Sequence, residues 1–266
     1  MRIMTIASGS SGNCSVIATD NTTLLVDAGI SKKKIEEGLR CADIDIRNVD
    51  GILITHEHID HVKSLGVLSR SYEIPIYATA ATCRQLTYMS KQLGDFDFEL
   101  FSAVDVDKSF DIGDINITPH AIWHDAADPV CYTFKNGATK LGIATDMGDF
   151  DDYIVEALSD SDALLIEANH DIRMLQVGPY PYITKQRIMG RRGHLSNESS
   201  GRLIRRLLNN HIRCIMLGHL SDKNNYPELA YLTVKNELLG NGFSDEMEDF
   251  GLTVAPRECP GRLYEI

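Results

Sequence analysis

The segment THEHIDH, Thr55–His61, holds three of the nine histidines of this 266-residue chain. It continues the apolar run GILIT, Gly51–Thr55, so it is predicted on the turn that follows a buried strand. A lone histidine there is more often structural than a ligand. Three imidazoles and a carboxylate on one turn would repel one another on protonation, and a divalent cation that uses their lone pairs removes this cost. The segment therefore predicts a metal site fed by His56, His58, Asp60 and His61.

Two further candidate ligands follow apolar runs of their own. Asp146 comes after LGIAT and His219 after CIMLG, at positions where the edge of a sheet would lie. The structural alternatives are a turn acid for Asp146 and a buried strand-end histidine for His219. His120 is interpreted as a neighbour of the site rather than a ligand, and His211 as surface or core filler.

Five motifs taken in chain order resemble those of the metallo-β-lactamase superfamily: LLVDAG, HEHIDH, WHDAADPVCY, ATDMGD and LGHLSDKNN. The resemblance implies an α/β (α+β) fold, a four-layer αββα sandwich, with two divalent metal ions. It assigns His56, His58 and His124 to one ion. It assigns Asp60, His61 and His219 to the second, and Asp146 to a bridging position. Asp27 is expected to support the histidine loop from behind rather than to bind metal.

LLIEANHD, Leu164–Asp171, and RRGHLSNES, Arg191–Ser199, resemble motifs of the nuclease branches of that superfamily. Together with SGSSGN, Ser8–Asn13, they match the YycJ-like (WalJ-like) branch over nearly the whole chain. By this resemblance Glu167 orients His194, which serves the departing oxygen of a phosphodiester, and Asp60 joins them as a catalytic residue. The branch implies a DNA exonuclease.

Other residues are expected to contact substrate. Small side chains let backbone N–H groups and hydroxyls approach a phosphate, although a tight hairpin explains SGSSGN equally well. His170 follows a strand, and two arginines adjoin His194. The candidate contacts are Ser8, Ser10, Ser11, Asn13, His170, Arg191 and Arg192.

The functional hypothesis is hydrolysis of nucleic-acid phosphodiester bonds by a dinuclear metal site. Zinc suits the His/Asp ligand set, with manganese or iron left open. The alternatives are an RNA-processing nuclease, a hydrolase of small cyclic phosphodiesters, a thioester hydrolase on the same site, and a metal-binding protein without catalysis. DNA is favoured over RNA as partner, no membrane partner is expected, and the oligomeric state is left open.

The composition limits these hypotheses. A net charge of −12 argues against indiscriminate binding to nucleic acid, but eight cations stand against Glu198 alone between Lys185 and Arg213. One domain is expected over residues 1–266. Six scattered cysteines and the lack of a long apolar run favour a cytoplasmic protein. Leu252–Ile266 is predicted to form a closing hairpin around Pro260–Gly261.

Overall fold

The computed structural model describes residues 1–239 and 251–266. The described strands are β1 Arg2–Ala7, β2 Cys14–Ala18, β3 Thr23–Val26, β4 Gly51–Leu53, β5 Ile76–Thr79, β6 Phe101–Val104, β7 Phe110–Ile112, β8 Ile115–Ala121, β9 Val130–Asn136, β10 Thr139–Ala144, β11 Ala163–Glu167, β12 Cys214–Gly218, β13 Leu252–Val254 and β14 Tyr264–Glu265. The described α-helices are α1 Lys32–Cys41, α2 Ile59–Val62, α3 Leu65–Tyr72, α4 Ala80–Tyr88, α5 Ser90–Leu93, α6 Asp152–Leu158, α7 Ile172–Val177, α8 Tyr182–Met189, α9 Asn197–Leu207 and α10 Pro227–Leu239.

The strands form two seven-stranded sheets. The first has the order β14-β1-β2-β3-β4-β5-β6, and the second has the order β13-β12-β11-β10-β9-β8-β7. Both sheets are mixed. The pairs from β3–β4 to β5–β6 and from β10–β11 to β12–β13 are parallel, whereas β1–β2, β2–β3 and the pairs from β7–β8 to β9–β10 are antiparallel. The carboxyl ends of the parallel strands therefore collect at one edge of each sheet.

Alternation along the strands builds four layers. Ala163 and Leu165 of β11 face a core shared by the two sheets, whereas Leu164 and Ile166 face a second core that also contains residues of α6, α9 and α10. A third core joins the first sheet to α1, α3 and α4. Strands buried on both faces must be apolar throughout, which explains runs such as ALLIE in β11. The predicted αββα sandwich is confirmed.

The predicted hairpin at the end of the chain is wrong. β13 pairs in parallel with β12 in the second sheet, whereas β14 pairs antiparallel with β1 in the first. Between them, the N–H of Gly261 donates to the carbonyl of Thr5 at 2.8 Å. An isolated two-stranded hairpin is marginally stable, and adding one strand to each existing sheet gives both strands larger partners. The tail therefore links the two sheets.

Within the part of the chain that the structure describes, no helix has the length and apolar character needed to span a bilayer.

Candidate metal centre

The candidate ligands and their supports lie where strands of both sheets end. Asp27 follows β3, the THEHIDH turn follows β4, Asp146 follows β10 by two residues, and His219 follows β12 directly. Asp27, Asp146 and His219 adopt positive φ angles of 63°, 59° and 54°. This left-handed conformation is uncommon for residues other than glycine, and its strain is concentrated at functional sites. Each turn bends sharply at the strand end and directs a side chain into the space between the sheet edges.

The first predicted ligand group, His56, His58 and His124, has its candidate ligand atoms within 4.8 Å of one another. The Nδ1 of His58 lies 3.2 Å from the Nε2 of His124. The Nδ1 of His124 lies 3.0 Å from the carbonyl oxygen of Gly193, which can only accept a hydrogen bond. Nδ1 of His124 therefore carries the proton, and its Nε2 presents a lone pair to the group.

Asp27 and Thr55 hydrogen-bond to two histidines on the side away from the ligand group and so set their tautomers. The Asp27 carboxylate accepts from the backbone N–H of Thr55 at 2.9 Å and from its hydroxyl at 3.0 Å, and lies 2.7 Å from Nδ1 of His61. Because the single hydroxyl proton of Thr55 is directed to Asp27, the hydroxyl accepts from Nδ1 of His56 at 3.0 Å. Nε2 of His56 and of His61 is thus left facing the site. The role of Thr55 was missed in the sequence, where its only signal is its place before His56.

The second predicted group, Asp60, His61 and His219, also has its ligand atoms within 4.8 Å of one another. Nε2 of His61 and of His219 lie 3.6 and 3.5 Å from Oδ2 of Asp60. Asp146 lies between the two groups, with its carboxylate 3.1 Å from Nε2 of His61, 3.4 Å from Nε2 of His219 and 3.8 Å from Nε2 of His124. The Asp146 carboxylate is thus near histidines of both groups, and its bridging role stays a prediction.

Electrostatics in this pocket are dominated by burial and by the mutual charges of the ligands. Burial alone would lower the pKa of His219, but the carboxylates of Asp146, Asp60 and Glu167 raise it to about 10. Burial holds the pKa of His56 well below its ordinary value, and the charges of the neighbouring histidines lower it further. Without a cation, this pocket holds protons in place of metal.

The chemistry of the donor set fits divalent metal ions. Nε2 of His56, Nε2 of His219 and Oδ2 of Asp146 are buried and lack a hydrogen-bond partner among the described residues. Buried polar atoms nearly always have a partner, so three converging orphans need an explanation. Imidazole nitrogens and carboxylate oxygens in this arrangement provide it as ligands of a divalent cation.

Glu167 and His194 lie against the ligand groups. Glu167 is fully buried, and its Oε1 accepts from Nδ1 of His194 at 2.8 Å and from Nδ1 of His219 at 2.9 Å. Its Oε2 accepts from the backbone N–H groups of Met147 and Leu195. Burial would raise the pKa of Glu167, but the charges and hydrogen bonds of His194 and His219 lower it to about 2. Glu167 therefore contacts both His194 and His219, and the second of these contacts was not predicted.

The predicted substrate contacts in the SGSSGN turn divide into two kinds. Ser8 and Asn13 are buried: Oγ of Ser8 accepts from the N–H of His219 at 2.9 Å, and Nδ2 of Asn13 lies 3.1 Å from Nε2 of His61. Ser10 and Ser11 are exposed at the tip of the turn. Ser8 and Asn13 thus contact the loops that carry the ligands, and only the serines at the tip are open to a substrate.

The remaining candidates border the site. His170 is buried, and burial lowers its pKa to about 4. The Nε of Arg192 donates to the carbonyl of His124 at 3.0 Å. The guanidinium of Arg191 lies 3.4 Å from the ring centre of Trp123, and its Nε is 3.5 Å from Asp149. The sequence did not single out Trp123, because no pattern of neighbouring residues marks it as the partner of Arg191.

Two histidines lie outside the ligand groups. His120, on β8, is within hydrogen-bond distance of Thr133 on β9 and of Asp107, which precedes β7, and His211 is exposed. The Nδ2 of Asn169 donates to the carbonyl of His219 at 3.0 Å. It supports the same turn as Ser8.

Comparison with known proteins identifies a family and close relatives. The sequence profile described as Beta-lactamase superfamily domain matches residues 22–217. The chain is 40% identical over 238 residues to Exodeoxyribonuclease YycJ of Bacillus anthracis, covering 90% of this chain and 89% of that protein. It is 41% identical over 233 residues to Exodeoxyribonuclease WalJ of Streptococcus pneumoniae, covering 88% and 86%. The metallo-β-lactamase fold protein YhfI from Bacillus subtilis superimposes with a TM-score of 0.70 at 15% identity over 100% of this chain and 99% of that one.

Proposed function

The chain belongs to the beta-lactamase superfamily, in the branch of the exodeoxyribonucleases YycJ and WalJ, and on this basis we propose that it is a metal-dependent nuclease that removes nucleotides from the end of DNA. The family membership supports hydrolysis, and the names of the two relatives support DNA as substrate and exonucleolytic action. Similarity to solved structures at 15% identity supports the fold alone.

The observation that carries the proposal is the contact between His194 and Glu167 beside two ligand groups. Two divalent cations, when bound by the ligand groups, supply the positive charge that activates water and balances a phosphodiester in its transition state. Zinc is the proposed metal because imidazole and carboxylate ligands suit it, and manganese or iron would use the same atoms.

The protein's own residues then act on the leaving side. In its imidazolium form His194 keeps the Nδ1 proton on Glu167 at 2.8 Å, so the proton that it can give up is the one on Nε2. When the bond from phosphorus to the leaving oxygen breaks, the electron pair stays on that oxygen, and the proton from Nε2 of His194 neutralises it. Glu167 stays ionised throughout, since its pKa of about 2 lies far below neutral pH. Asp60, the third proposed catalytic residue, holds its carboxylate against His61 and His219 and acts through the second ligand group.

The surroundings of the pair favour an anionic polymer over a small thioester. Arg191 and Arg192 precede His194 by three and two residues, and the side chain of Arg191 stays largely exposed although its Nε lies 3.5 Å from Asp149. A cationic rim of this kind contacts phosphates flanking the scissile one. The proposed location is the cytoplasm, supported by six cysteines that are all free thiols.

A panel of substrates tests the proposal. Purified protein, loaded separately with zinc and with manganese, is incubated with end-labelled single- and double-stranded DNA, RNA, a cyclic dinucleotide and an acyl thioester. We expect mononucleotides to be released progressively from DNA ends. Faster turnover of RNA, the cyclic dinucleotide or the thioester would replace the proposal with the corresponding alternative. Metal binding without turnover of any of them would leave a metal-binding protein without catalysis.

A further inference from the structure

Residues 172–192 form an arm of two short helices, α7 and α8, which connects the strand of Glu167 to the loop of His194. None of the residues of α8 is buried against the part of the chain that the structure describes. Tyr182 and Ile183 of α8 are 71% and 80% exposed, and Val177 at the end of α7 is 86% exposed. Adjacent apolar side chains at such exposure are a common mark of a binding surface. Packing within the chain does not account for them.

The arm carries the opposite charge to the rest of the chain. Residues 172–192 contain five cations and no Asp or Glu, in a chain whose net charge is −12. The cations are Arg173, Lys185, Arg187, Arg191 and Arg192. Asp125 pairs with Arg187 and Asp149 lies 3.5 Å from Arg191, so part of this positive charge is balanced by acids outside the arm. An anionic partner is therefore favoured at the arm and opposed over most of the remaining surface.

The end of the arm is built into the wall of the metal centre. The N–H of His194 donates to the carbonyl of Ile188 at 2.9 Å, and the N–H of Gly193 donates to the carbonyl of Gly190 at 2.8 Å. A Cβ atom on Gly193 would lie only 2.1 Å from the carbonyl oxygen of Ile188, so this close approach requires glycine. The carboxyl end of α8 is therefore fixed directly against the turn that carries His194.

We propose that the arm is the docking platform for the single-stranded end of the DNA that the nuclease hydrolyses, an inference that rests on the proposed function. Single-stranded nucleic acids bind surfaces that combine cations with aromatic rings on which unpaired bases stack. Tyr182 offers such a ring, and its Oη accepts from Nε2 of Gln186 at 2.8 Å, which orders the side chain before binding. At 1.5 Å per residue, α8 spans about 12 Å and contacts a few nucleotides.

The test separates binding to the arm from chemistry at the metal centre. The double variant Tyr182→Ala, Ile183→Ser is compared with Tyr182→Phe, which keeps the ring, and with Tyr88→Ala, a tyrosine 78% exposed on α4. Binding is measured by the fluorescence anisotropy of a fluorescein-labelled thymidine oligonucleotide, with His194→Ala as a background that limits cleavage. Hydrolysis of the oligonucleotide and of bis(p-nitrophenyl) phosphate, which has no nucleotide chain to lie along α8, is measured in the native background.

We expect the double variant to lose about fivefold or more in both oligonucleotide affinity and kcat/KM, while Tyr182→Phe and Tyr88→Ala stay within about twofold of wild type. Hydrolysis of bis(p-nitrophenyl) phosphate should not change. Unaltered oligonucleotide affinity in the double variant would overturn the platform. So would a dimer, detected by light scattering, that the double variant dissociates without any change in DNA affinity. Oligonucleotide binding that depends on the arm, in a protein that hydrolyses no phosphodiester, would keep the platform and reject the proposed nuclease.

Discussion

At the scale of single residues, the proposed role of His194 predicts a loss that depends on the leaving group. In His194→Ala, DNA hydrolysis should fall by about 10²–10⁴-fold because an alkoxide leaves poorly without a proton. Hydrolysis of bis(p-nitrophenyl) phosphate should fall much less, since nitrophenolate is stable without one. Initial rates on both substrates and the metal content check this, with the exposed His211→Ala as the matched control. An equal loss on both substrates would mean that His194 positions the site but gives no proton.

His170 predicts a pH dependence of folding. Burial lowers its pKa from 6.5 to about 4, so the folded protein holds it neutral where the unfolded chain protonates it. Between pH 6.5 and 4 the free energy of unfolding should therefore decrease as the pH falls, by up to about 3 kcal/mol from this group. Urea unfolding of the metal-free protein should be less pH-dependent in this window in His170→Gln. Parallel pH profiles for variant and wild type would contradict the assignment.

How far the sequence predicts the site differs from residue to residue. The histidines and acids of the ligand groups are recognisable because only a few residue types bind metal, and their spacing is local. Thr55 and Trp123 act through contacts that the fold creates, so nothing in their neighbourhood marks them. Ser8 was a candidate substrate contact because it lies in a turn of the kind that binds phosphate. Its hydroxyl instead accepts from the backbone N–H of His219, which is 211 residues away. Contacts of that separation are fixed by tertiary structure.

At the scale of elements, the SGSSGN turn predicts opposite phenotypes for two of its serines. Ser8→Ala removes the acceptor for the buried N–H of His219, which should cost about 1–3 kcal/mol of stability and weaken metal binding about 10- to 100-fold. Ser10→Ala lies at the exposed tip and should leave metal affinity unchanged. Competition of each variant with a fluorescent chelator measures the difference. Equal metal affinity in the two variants would return Ser8 to the role of a substrate contact.

Elements were predicted well where both the pattern and the partner are local. The buried strand predicted in the run Gly51–Thr55 is present as β4, Gly51–Leu53, since a short apolar run of this kind fits the centre of a sheet. The tail was predicted as a hairpin because turn residues separate two short apolar runs, but the partners of β13 and β14 are strands of different sheets. Helix α8 was not predicted, since without a buried face it has no apolar period to recognise.

At the scale of the whole molecule, charge is unevenly distributed, and this predicts a steep dependence of DNA binding on salt. The eight cations between Lys185 and Arg213 do not form one surface. The first of them lie on the arm beside His194, whereas Arg206 near the end of α9 pairs with Asp152 of α6 at 2.6 Å. If three phosphates are neutralised, oligonucleotide affinity should fall roughly 10-fold or more between 50 and 200 mM salt. Anisotropy titrations measure the slope, and Arg206→Gln should leave it unchanged. A flat salt response would contradict phosphate contacts on the arm.

The single domain over residues 1–266 stays a prediction.

The two sheets meet at the metal centre, so removing metal should destabilise the whole fold. The first sheet carries Asp27 and the THEHIDH turn, while the second carries Asp146, Glu167 and His219. Metal present at a hundred times its Kd stabilises the folded state by about 2.7 kcal/mol, which for a chain of this size raises Tm by about 5–10 °C. Calorimetry with metal and with chelator should show this shift in wild type and in His211→Ala, and should show it reduced in Asp146→Asn.

The increase in Tm on metal binding should also depend on pH, in a direction that the protonation of His219 determines. Without metal, His219 has a pKa of about 10 and is protonated at pH 7, so an incoming cation must displace that proton. Metal affinity, and with it the Tm shift, should therefore increase as the pH is raised from 6 to 9. Titration calorimetry in two buffers of different ionisation enthalpy counts the protons released. Release of none at pH 7 would mean that His219 is not displaced by metal, and the second ligand group would then lose its central member.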